Sequence, residues 1–153
     1  MTTVPIALIQ TRTPASAAAA FTHVEPLIRQ AAVGGAKLIL TPEGTNFLIQ
    51  DRERRAAALE TQDRDEAVGK LRALARELGV WLLIGSAIVR SGHEGDDRAA
   101  NRSLLIDDGG EVIAKLDHDE PGVLFATLDL DAVARARAAV PQLSHDREFG
   151  APS

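Results

Sequence analysis

Short apolar runs alternating with stretches of helical periodicity predict an α/β fold, and three observations carry that reading. Residues 4–9, 37–40 and 80–89 are apolar runs of strand length. Residues 15–33 and 67–78 set their apolar side chains three and four positions apart, the spacing of one helix face. Further on, residues 101–106 and 112–116 flank Asp107-Asp108-Gly109-Gly110, a hairpin signal. Strand, helix, strand, helix, strand and then hairpin is an α/β order with antiparallel additions.

Each element has a local reason. Residues 4–9 suit a buried strand. In the first helix Ala17, Phe21, Val24, Ile28, Ala31 and Ala32 form the apolar face. Pro26 interrupts it, so a kink or a late helix start is expected there. Gly34-Gly35 supplies a left-handed stop, and the strand at 37–40 runs out at Thr41-Pro42-Glu43, where proline cannot donate to a ladder. Asp63-Arg64-Asp65-Glu66 has the form of a capping box. Behind it Ala67, Leu71, Leu74, Ala75 and Leu78 make one stripe, which Gly79 closes. Gly85-Ser86 in the third strand allows close approach of another backbone. Residues 123–128 read as a last strand, and Asp129 or Asp131 caps a short helix over 132–139 that Pro141 ends. The tail, 143–153, is polar and reads as extended.

Composition excludes several function classes. The 153 residues are enough for one domain with a real core, and 45% hydrophobic with 25% charged residues is globular usage. A net charge of −5 leaves no basic stripe for phosphates, which argues against a nucleic-acid partner. Asp51-Arg52-Glu53-Arg54-Arg55 mixes both signs, as a solvated helix face does. The start, Met1-Thr2-Thr3-Val4-Pro5, lacks the charged and apolar regions of a signal peptide, and no run is long enough to span a bilayer. The expectation is therefore no membrane and a cytoplasmic location. With no cysteine there is no disulfide, no thiolate metal site and no thiol nucleophile.

Other candidate sites have plainer readings. His93, Glu94, Asp96 and Asp97 sit among Gly92 and Gly95 and read as a solvated turn, so no metal is expected. The acids of Asp107-Asp108-Gly109-Gly110 lack the spacing and closing glutamate of a calcium loop. Ser86 and Ser103 lack a nucleophile elbow, and Gly34-Gly35 lacks dinucleotide-loop spacing.

Seven pieces in order resemble the nitrilase, or carbon–nitrogen hydrolase, superfamily. They include Val4-Pro5-Ile6-Ala7-Leu8-Ile9-Gln10 and the stretch from Gln30 through Ala36-Lys37-Leu38-Ile39-Leu40-Thr41-Pro42-Glu43. Leu78-Gly79-Val80-Trp81-Leu82-Leu83-Ile84-Gly85-Ser86, Asn101-Arg102-Ser103-Leu104-Leu105-Ile106-Asp107 and Gly110-Glu111-Val112-Ile113-Ala114-Lys115 follow. Asp119-Glu120-Pro121-Gly122-Val123-Leu124 and His145-Asp146-Arg147 complete the set. The resemblance implies hydrolysis of non-peptide C–N bonds in amides or nitriles without a cofactor, by a Glu–Lys–Cys triad in which the carboxylate is general base and the thiolate attacks. Glu43 inherits the base position, and Asn101 matches a family asparagine read as lying at the substrate site.

The remaining triad members have no counterpart. His118 stands where the family lysine would fall and reads as a surface histidine; Lys115 reads as a solvated strand residue. From Asp117-His118 the chain passes directly to Asp119-Glu120-Pro121-Gly122, so the family's central portion, with its cysteine, is missing. The resemblance thus implies a partial nitrilase-like α-β-β-α sandwich, one domain over 1–153 with a junction near 117–119. Its implied function is that of an amidase- or nitrilase-type family member without thiol catalysis. The alternative is a non-catalytic interaction or dimerisation module, or a deletion product with no selected function. Expected partners are a small-molecule amide or nitrile, a second copy, or a full-length relative. The missing strands would leave 80–89 and 123–128 as open edges.

Overall fold

The structure, a computed structural model, describes residues 2–61, 64–84, 104–106 and 112–139. Along the chain it forms β1 (Thr3–Gln10), α1 (Ala17–Val33), β2 (Leu38–Thr41), α2 (Arg52–Ala58), α3 (Glu66–Leu78) and β3 (Trp81–Ile84). The hairpin β4 (Leu104–Ile106) and β5 (Val112–Lys115), the strand β6 (Gly122–Asp129) and α4 (Leu130–Ala139) follow. The order β3-β2-β1-β6 makes a four-stranded mixed sheet, with β4 and β5 in a separate antiparallel pair. β1 and β2 run parallel, as do β2 and β3, because α1 and α3 carry the chain back between them. β6 lies antiparallel on the other side of β1, with Thr3 opposite Asp129 and Gln10 opposite Gly122. The two strands expected as open edges, β3 and β6, stand at the two ends of this sheet.

The core lies between the sheet and the two long helices. Ala7, Ile9 and Ile39 point from the sheet toward Val24, Ile28 and Ala31 of α1 and Leu71 and Leu74 of α3, all buried. The other face of the sheet is apolar too, which is why β1 reads as an unbroken hydrophobic run. There Ile6 and Leu124 are buried, but Trp81 is 79% and Leu83 54% exposed at the β3 end.

Three local expectations change. Pro26 neither delays nor ends α1, which starts at Ala17 with Ser16 as its cap. Pro26 and Thr22, whose carbonyl it deprives of a helical partner, are both exposed residues. The cap of α3 is Asp65 and not Asp63: Asp65 Oδ1 accepts from the Val68 amide, and Glu66 becomes the first helical residue. α4 begins at Leu130, two residues early, with Asp129, one of the two expected caps, accepting from the Asp131 amide. Of the two stop glycines, Gly35 holds the positive φ (+90°), while Gly79 closes α3 in the left-handed region as expected. The mixed-charge segment at 51–55 starts α2, whose residues are all exposed.

Charged side chains tie the helices at the surface. Arg29 of α1 reaches Glu77 of α3 through both terminal nitrogens, at 2.7 and 3.2 Å, and also holds Glu25 at 2.9 Å. Those hydrogen bonds hold the Glu77 carboxyl below the usual carboxylate range. Arg135, and then the Asp131 and Ala132 amides, do the same for Asp129 at the start of α4. A carboxyl with a depressed folded-state pKa stabilises the fold above its unfolded value and loses that contribution as pH falls through the folded one. Stability should therefore drop as pH is taken from about 5 toward about 3, the region of carboxylate titration. Arg29→Met and Arg135→Met should each flatten that drop. Urea midpoints across the acid range test this; an unchanged slope in both variants would refute it.

Candidate functional site

The carboxyl ends of parallel strands are where α/β sheets place their ligand sites, and Glu43 lies just beyond the end of β2. Pro42 stops the ladder, and Gly44, at φ +68°, turns the chain back. The buried Thr45 hydroxyl donates to the Pro42 carbonyl and closes the turn over Glu43. A Cβ on Gly44 would come within 3.3 Å of Leu48 Cδ1 and the Phe47 carbonyl oxygen, so both backbone and space call for glycine. Asn46 Nδ2 donates to Asp65 Oδ2 at 2.8 Å, tying this turn to the cap of α3, and the Leu48 amide donates to the Pro14 carbonyl at 3.0 Å. The result is a turn held from three sides with Glu43, half-buried, at its tip.

Glu43 itself makes no side-chain hydrogen bond or ion pair among the described residues. Its carboxylate carries no structural bond among the described residues, so Glu43→Gln should leave unfolding free energy within about 0.5 kcal/mol of wild type at neutral pH, as for a substitution that breaks no contact. A strong loss in urea titration would mean that a cation holds it. Asn101 lies outside the described residues, as do the His93 to Asp97 cluster, the turn at 107–110 and the tail. Lys115 is an exposed strand residue paired with Asp117 at 2.8 Å. His118 is exposed, and its Nδ1 faces the Glu120 carbonyl at 3.2 Å. Because a carbonyl only accepts, Nδ1 carries the proton in that contact, and the ring is turned into its own loop.

The polar residue most engaged here, Gln10, is one that the sequence reading passed over. It ends β1, is 5% exposed, and donates from Nε2 to the His118 and Glu120 carbonyls, each at 2.8 Å. Its signal in the sequence is a lone amide closing an apolar run. Elsewhere, an open cleft beside Phe125, lined by Pro5, Ile6, Gly34, Ala36, Ala126 and Thr127, brings none of the candidate residues together. Among the described residues no group of three or more His, Cys, Asp or Glu is set to hold a metal. No described helix is long and apolar enough to cross a membrane.

A mixed sheet backed by two helices, with a Pro-Glu turn beyond β2, defines the class: a mixed α/β layer with its candidate carboxylate at the end of a parallel strand. The carbon-nitrogen hydrolase family matches residues 5–111, and the chain belongs to that family. Its fold is similar to that of the C. elegans NitFhit protein, at TM-score 0.73 and 14% identity, over 95% of this chain and 65% of that one. A second similar structure, an amidase from Nesterenkonia sp., is 26% identical over 73% of this chain and 41% of that one, with TM-score 0.46. The chain therefore spans less than two thirds of each of these two structures. No curated protein matches the sequence.

Proposed function

We propose that this chain is an amidase- or nitrilase-type carbon–nitrogen hydrolase that has lost thiol catalysis. The observation that carries the reading is the absence of any cysteine among 153 residues. The family's chemistry needs a thiolate to attack the carbonyl or nitrile carbon, and neither Ser86 nor Ser103 has the elbow that would activate a hydroxyl in its place. Glu43 keeps the general-base position and Asn101 the substrate position, on a domain whose two family ends are joined near 117–119. A base with no nucleophile beside it has no proton to take toward a covalent intermediate.

Incubation with short amides and nitriles, followed by intact-mass spectrometry, should give unmodified protein, and product release should match buffer. An adduct that survives denaturation would overturn the reading.

A second reading, an interaction module, is favoured by the exposure of Trp81 and Leu83 on a sheet strand. Large apolar side chains at a sheet edge invite a partner, and a second copy or a full-length relative would supply one. A dimer or larger species in light scattering supports it; a clean monomer that also fails to bind a full-length relative removes it. Neither nucleic acid nor membrane belongs among the partners, and the location consistent with this reading is cytoplasmic.

A further inference from the structure

The passage from the hairpin back into the main sheet is made in residues 116–121, between the end of β5 and the start of β6. So short a link has to be held, and the grip comes from one place, the carboxyl end of β1. Gln10 lies under the link and divides its two amide protons between carbonyls two residues apart, His118 and Glu120. A primary amide offers two N–H groups in a fixed fork, so one buried side chain sets the path of three residues. Two positions on, Arg12 reaches the same loop from outside, with Nη2 3.3 Å from Asp119 and 3.0 Å from Glu120. His118 closes the arrangement: a Cβ on Gly122 would lie 3.1 Å from its Cε1, so the ring rests against the first residue of β6.

We propose that Gln10 and Arg12 form a two-part latch that fastens the 116–121 link and, through it, keeps β6 and the hairpin attached to β1. The two halves differ in kind. Gln10 is buried and acts through neutral hydrogen bonds that salt does not screen. Arg12 and its two acids are more than half exposed, so that half is weak and salt-sensitive. Opening the latch releases residues 116–128 as a unit while the layer of α1 and α3 on β1 and β2 stays closed, because none of the buried core residues of that layer comes from this segment and only the partly buried Val123 packs against them.

Hydrogen exchange read by mass spectrometry tests this in the whole chain. Gln10→Met keeps the volume and removes both donors. It should speed exchange across residues 116–128 by about tenfold while leaving residues 66–78 unchanged, the effect of losing two part-buried hydrogen bonds. Arg12→Met should speed it a few-fold at low salt, and wild type in about 1 M NaCl, where the Debye length is about 3 Å, should behave like Arg12→Met. Equal acceleration of both segments, or none, would overturn the proposal. Should Gln10→Met fail to fold, wild type in sub-denaturing urea still decides: residues 116–128 must exchange together, through an opening that leaves 66–78 protected. Loss of protection in both segments at once would refute the latch.

Discussion

Ile28→Ala should lower unfolding free energy by about 2–5 kcal/mol, the range for emptying a fully buried aliphatic site. Ile28 is 0% exposed, in the middle of α1, where it meets the β1 and β2 side chains and the stripe of α3. The deleted atoms lose their transfer free energy, and the neighbours cannot all close in. Three members of its cluster are small (Ala7, Ala31 and Ala36), and the others sit on β1, β2, α1 and α3, whose backbones are held by their own hydrogen bonds. Small domains have only about 5–15 kcal/mol in total, so the variant should unfold at a much lower urea midpoint. Leu59→Ala is the control: Leu59 is also a large aliphatic residue but 63% exposed, and its truncation should cost no more than about 0.5 kcal/mol. Equal midpoints for the two variants would show that the α1 interface is not the core.

Gly34→Ala should be the next most damaging change, for a steric reason alone. The backbone there, at φ −70° and ψ 2°, suits any residue, so no strain of conformation enters. The obstacle is Phe125 of β6: a Cβ at position 34 would stand 2.3 Å from its Cε1 and 2.5 Å from its Cζ. The ring must swing away, and it gives up its packing on the end of α1. A cost of about 1–3 kcal/mol is expected, as for other forced overpacking. Phe125 is 43% exposed, which leaves it somewhere to go and keeps the cost off the top of that range. The double-mutant cycle isolates the contact. In a Phe125→Ala background, Gly34→Ala should be neutral or stabilising by up to about 1 kcal/mol, since alanine restricts the unfolded chain more than glycine does. The same penalty in both backgrounds would mean that the clash is not its cause.

Much of this architecture was legible because it is local. The stripe Ala67, Leu71, Leu74 and the stop at Gly79 follow from spacing and from one residue's freedom at positive φ, and the structure has both. Pro42 ending β2 is equally local. A late start at Pro26 was the wrong half of that expectation, because Ser16 caps the helix ten residues earlier and Pro26 falls on its exposed face. Asp63 misled because Asp65 caps just as well and is also held by Asn46, 19 residues away. The pairing of β6 with β1 was illegible for a related reason: nothing in residues 123–128 states which strand they join. Gln10 was missed because its value depends on two carbonyls more than 100 residues on, which no window over the sequence includes. At the candidate site, position 43 came from the Pro-Glu context, whereas the turn that presents it rests on Gly44 and Thr45.

The register of β1 against β6 also sets the order in which the molecule can assemble. β1, α1 and β2 are neighbours in the chain and can meet while the rest is still being made, since parallel β1 and β2 need only the helix between them. β1's other edge faces Gly122–Asp129, so it has no partner until more than 110 further residues have been synthesised. Closing so long a loop is entropically slow compared with the local steps. Through that interval the nascent chain carries an apolar strand with one bare side, and the pairing of β6 with β1 has to follow the pairing of β1 with β2.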